Sequence, residues 1–111
     1  FEDAVAAELA VYDWFLQAFE LMRDPSHVRD YAMSEWVEIA TQAGFVLTGV
    51  TRRRLPLEFA AWVMRQRTPE PMAAAIRALF AAAPDEVRRQ FDIRAGDDFT
   101  IDSAVMEFAP L

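Results

Sequence analysis

The chain has 111 residues, a net charge of −7 and an apolar fraction of 54%. That length is one domain, and a chain of this size buries roughly two-thirds of its unfolded surface, so one core is affordable. The charge argues against non-specific binding to nucleic acid or anionic lipid. The absence of cysteine excludes disulfides and thiolate metal sites.

The first predicted element is a helix from Glu2 to Met22. Val5, Leu9, Tyr12, Leu16 and Phe19 follow the steps of four and three that define one helix face. Val11, Phe15 and Met22 widen the stripe, and Trp14 lies off it. Asp24-Pro25 ends the helix, because the residue before proline is pushed out of the helical region. A second helix is predicted from about Met33 to Ala43, with Trp36, Val37, Ile39 and Ala40 as its core face and Gly44 ending it. Phe45 to about Arg53 alternates and is rich in β-branched residues, which predicts a strand.

Helical spacing resumes at Phe59, Trp62, Val63 and Gln66. Thr68-Pro69 reads as a cap followed by a first-turn proline, opening a helix with Met72, Ile76, Leu79 and Phe80 on its apolar side. A short helix after Pro84 places Val87 and Phe91 together. Ala95 to Asp98 is a turn, and Phe99 to Phe108 a final strand. In that strand Phe99, Ile101 and Val105 point one way, and Ala104, Met106 and Phe108 the other. The predicted fold is α+β, mainly helical with an antiparallel strand pair. No uninterrupted apolar stretch approaches the ~18 residues of a membrane span, and the expected location is the cytoplasm.

Candidate site residues cluster in Arg23 to Tyr31, RDPSHVRDY. His27 could serve as a general base oriented by Asp24 or Asp30, or could simply bond backbone and shape the loop. Arg23 and Arg29 could clamp a carboxylate or phosphate, or pair with Asp24, Asp30 or Glu20. Tyr31 and Trp36 could line an apolar pocket or belong to the core. Arg52, Arg53 and Arg54 read as a solvated strand end. The scattered methionines read as core filler.

RDPSHVR, followed by SEW at Ser34–Trp36, AGF at Ala43–Phe45 and LEFAAWVMRQRTP at 57–69, resembles the C-terminal part of class I S-adenosylmethionine-dependent methyltransferases. The likeness is to the small-molecule branch that includes ubiquinone and menaquinone methyltransferases, and it covers nearly the whole chain. It implies a helix and a final antiparallel strand pair after a parallel sheet. It also implies a small-molecule methyl acceptor, with S-adenosylmethionine as cofactor of the parent enzyme. Such relatives often carry Ser or Thr where Ala32 stands, giving a capping box with Glu35; here that cap is missing.

The family's cofactor motif has no counterpart, since Gly44, Gly49 and Gly96 are isolated. No catalytic, cofactor or metal residue is therefore assigned. The chain is expected to be a C-terminal fragment, inactive alone, with an alternative as a stand-alone binding or dimerisation module. Arg23, His27, Arg29, Tyr31 and Trp36 remain as acceptor-side candidates. A fragment without its parallel sheet would leave one edge of Phe99–Phe108 bare and the first helix uncovered. A two-fold homodimer is the expected consequence.

Overall fold

Phe45–Leu57 (β2) and Phe99–Pro110 (β3) pair antiparallel from Phe45↔Pro110 to Leu57↔Phe99, and this ribbon carries the rest. The computed structural model describes residues 2–5, 9–24 and 30–111. Ahead of the ribbon come strand β1 (Glu2–Ala4) and helices α1 (Ala10–Arg23) and α2 (Met33–Gln42). Between its strands lie helices α3 (Phe59–Arg65), α4 (Glu70–Ala82) and α5 (Asp85–Gln90), and a 3-10 turn at Ala95–Asp97. The expected α+β fold is present, with a third strand: the sheet order is β1-β3-β2, antiparallel throughout.

That third strand corrects the predicted helix from Glu2. Glu2, Asp3 and Ala4 pair with Val105, Ala104 and Ser103, and the Val5 N–H donates to the Asp102 carbonyl at 3.1 Å. An available strand edge here outweighs helical periodicity, because pairing satisfies backbone groups on both sides. It also corrects the expected bare edge of β3, which is covered at Ser103–Val105. Leu9, expected on the helix face, precedes the helix and is 63% exposed.

Other boundaries move for local reasons. β2 continues past Arg53 through Pro56, which is tolerated because β2 is an edge strand. A bulge at Thr48, between Leu47 and Gly49, breaks the simple alternation expected there. α4 is capped by Pro69 rather than Thr68. α2 starts at Ala32 with half a capping box: alanine has no oxygen to offer, but the Ala32 N–H donates to Glu35 Oε1 at 3.1 Å. Val37 and Ile39 are 41% and 40% exposed, so α2 buries less of its predicted face than expected.

Two cores result. Phe99 and Ile101 of β3 join Leu55 and Leu57 of β2 and the four helices α1, α3, α4 and α5. Ala104, Met106 and Phe108, of the opposite alternation, meet Val5, Leu47, Met33 and Trp36. Phe19 is the centre of the first core, fully buried, with the rings of Phe15, Trp62, Phe80, Phe91 and Phe99 edge-on to it at 5.3 to 5.7 Å. Such pairs add to the area term. Phe19→Ala is expected to destabilise the chain by about 3–5 kcal/mol, read as a lower denaturant midpoint. Met64→Ala, at an exposed position of α3, should shift it far less.

Candidate functional site

The two sequence blocks that carry the resemblance meet in space. Arg23 is the last residue of α1, and its guanidinium lies 4.6 Å from the ring centroid of Trp62 on α3. The Thr68 hydroxyl donates to the Arg23 carbonyl at 2.9 Å, satisfying one of the open acceptors at that helix end. Thr68 therefore serves α1, not the helix that follows it. The tryptophan and the threonine downstream hold the arginine that opens the loop.

The far side of the loop is held from within α1. The Gln17 side-chain amide donates to the Asp30 carbonyl at 3.0 Å and accepts the Asp30 N–H at 3.1 Å. It also donates to Asp13 Oδ1 at 2.9 Å, which fixes its orientation. The loop is thus fastened at Arg23 and Asp30, seven residues apart in number. His27 and Arg29 lie outside the described residues. So does most of the expected internal pairing of the loop; of its two arginines, Arg23 is engaged by Trp62.

Asp30 is the unexpected group. It and Glu20 are both buried, at 6% and 8% exposure. Burial, then the negative charges of Glu20 and Asp3 and a hydrogen bond with Glu20, push the Asp30 carboxyl up to about 8, while Arg23 acts in the opposite direction. A proton held between two buried carboxyls resolves their repulsion. The sequence offers Glu20 only as an ion-pair partner for Arg23 or Arg29; its burial is signalled by its place four residues after Leu16 and next to Phe19, on the buried side of α1.

Tyr31 and Trp36 do come together, with ring centroids 5.4 Å apart and planes at 72°. Trp36 also lines an apolar groove of about 250 Å3 with Ile39, Ala40, Phe45 and Phe108. Arg23 packs instead on α3, so the candidates divide between the two cores. The Arg52–Arg54 run, read as a solvated strand end, lines a cleft with Val5, Asp102 and Ser103.

The glycines do not fit a nucleotide-binding loop. Gly44 follows α2 with φ 90° and Gly96 sits in the 3-10 turn with φ 78°, both left-handed positions that glycine occupies without strain. Gly49 lies in β2.

No protein-family profile matches the chain. It is 38% identical over 95% of its length to YafE of Escherichia coli, an uncharacterized protein, and spans 51% of that protein. It is 32% identical over 82% of its length to YcgJ of Bacillus subtilis, named an uncharacterized methyltransferase, and spans 36% of it. The chain therefore spans about half or less of the curated relatives it matches. The crystal structure of YcgJ superposes with a TM-score of 0.87 at 28% identity, over 96% of this chain and 48% of that one. The crystal structure of BH2331 of Bacillus halodurans matches in fold with a TM-score of 0.88 at 24% identity, over 96% of this chain and 52% of that one. In fold and in sequence the chain corresponds to the C-terminal part of a methyltransferase.

A pH prediction follows from Asp30. An unfolded aspartate titrates near 3.9, and the folded group near 8. Between those values the folded chain holds a proton that the unfolded chain has lost. The Asp30 contribution to stability is complete below about 4 and is lost as pH rises to about 8. Asp30→Asn cannot titrate, so its melting temperature should gain on the wild type steadily from about pH 5 to about pH 8.5. Parallel melting curves across that range would sink the assignment of a shared buried proton.

Proposed function

We propose that this chain is the acceptor-side part of an S-adenosylmethionine-dependent, cytoplasmic, small-molecule methyltransferase, of the branch that includes ubiquinone and menaquinone methyltransferases. The observation that carries the reading is the match of nearly the whole chain to the C-terminal part of YcgJ, in sequence as well as in fold. Methyl transfer from a sulfonium is a direct displacement that asks for alignment and exclusion of water. Helices α1, α3, α4 and α5 supply a dry wall around Phe19 for that purpose. The proposed acceptor-side residues are Arg23, His27, Arg29, Tyr31 and Trp36. The cofactor is held by the remainder of the parent enzyme, since the glycines of this chain serve a helix end, a turn and a strand.

Calorimetry tests this with two samples. The full-length protein is expected to bind S-adenosylmethionine, and this chain alone is expected not to. Micromolar binding by the chain alone would mean that the cofactor site lies within it and that the division of labour proposed here is wrong.

As an isolated polypeptide the chain is further proposed to form a two-fold dimer. Two features support it. β1 and β2 are the outer strands of the sheet, and edge strands are templates for pairing. α1 presents Val11, Trp14 and Leu21 at 49%, 66% and 52% exposure, spaced along one helical stripe. Light scattering at micromolar concentration is expected to give twice the chain mass, and Trp14→Glu to lower it. A monomeric wild type would remove the proposal.

A further inference from the structure

Arg52, Arg53 and Arg54 are consecutive in β2, opposite Ala104, Ser103 and Asp102. With Val5, Asp102 and Ser103 they line a cleft of about 350 Å3. Val5 is buried, at 3% exposure, and gives the cleft an apolar floor. Alternation along the strand puts Arg52 and Arg54 on one side. Arg54 is fixed in place: its Nη1 donates to Asp102 Oδ1 at 2.7 Å and its Nη2 to the Gln90 carbonyl.

The charge here runs against the rest of the molecule. Acidic residues outnumber basic ones by 18 to 11 in the chain, yet among the described residues lining this cleft Arg52 and Arg54 share one face with the single carboxylate of Asp102. Like charges close together on a strand repel, and Asp102 is already engaged by Arg54. A long polyanion would meet the opposing charge of the whole chain, whereas a small anion senses mainly what lies within a Debye length, about 8 Å. The cleft also stands at the carboxyl end of β1, where the Val5 N–H reaches the Asp102 carbonyl.

We propose that this cleft binds the anionic group of a small organic ligand, a carboxylate or phosphate, with Arg52 meeting the anion beside the fixed guanidinium of Arg54. Identifying that ligand as the methyl acceptor rests on the methyltransferase reading; the anion site itself does not. A planar guanidinium suits either group, because its fork matches two oxygens at once. Val5 would then sit beneath the ligand, at the junction of its charged and uncharged parts.

The test is calorimetric titration of the full-length protein at low ionic strength, with pyrophosphate and benzoate as separate probes. At least one is expected to saturate a single site. Arg52→Gln should weaken it by about tenfold or more, the loss of one charge-assisted hydrogen bond. Arg65→Gln, at an exposed position of α3, should leave it unchanged. Binding of pyrophosphate alone identifies a phosphate ligand, and of benzoate alone a carboxylate. Binding of neither probe, or equal weakening by both substitutions, overturns the proposal. Circular dichroism of Arg52→Gln confirms that a lost signal is not lost folding. S-adenosylmethionine titrated into the same protein separates the two ideas. A bound probe without cofactor binding refutes the methyltransferase reading and keeps the anion site; cofactor binding without a probe does the reverse.

Discussion

The burial of Phe19 is the contact on which the helical layer depends. Its ring receives edges from α1, α3 and α4, from the residue after α5, and from the first residue of β3. A two-stranded ribbon is marginal by itself, and short helices such as α3 and α5 are marginal in isolation. Each becomes stable only by covering the same ring. The arrangement explains how a chain with so much alanine keeps a dense interior: a few aromatic side chains supply the volume.

The ribbon distributes the two cores. Period-two alternation in β3 sends Phe99 and Ile101 to the helices and Ala104, Met106 and Phe108 to the side of α2. The loop between α1 and α2 therefore spans from one core to the other. Its first fastening, Arg23 on Trp62, belongs to the helical core. After its second, Gln17 on Asp30, the chain enters α2 through Met33, in the other core. The two described ends of the segment that carries the family likeness, Arg23 and Asp30, are thus held by side chains of different elements, Trp62 of α3 and Gln17 of α1.

Charge is placed unevenly for a physical reason. Glu20 and Asp30 are removed from water close to Asp3, and the resulting cost falls on the Asp30 proton. The arginines Arg52 and Arg54 remain at the surface, where guanidiniums keep their hydration and one of them is fixed by Asp102. An acidic chain thus carries a basic cleft next to the end of β1. Neither feature could be read from net charge, which sums over positions that the fold separates.

What the sequence determined by itself was the set of elements with strong local periodicity. The ribbon strands, α2, α4, the short helix after Pro84 and the turn at Gly96 are all legible, because their patterns and their punctuating residues agree. The resemblance carried by RDPSHVR, Trp62 and Thr68 was legible too, though its cause was not. Only the tertiary structure decided that Trp62 and Thr68 grip Arg23 across 39 and 45 positions of chain. Only it decided that Glu2–Ala4 is strand, since strand or helix there depended on whether an edge of β3 stood open. The burial of Asp30 beside Glu20 belongs to the same class. Local pattern reports how one segment partitions between water and interior, whereas these outcomes depend on which distant segment arrives to share the interior.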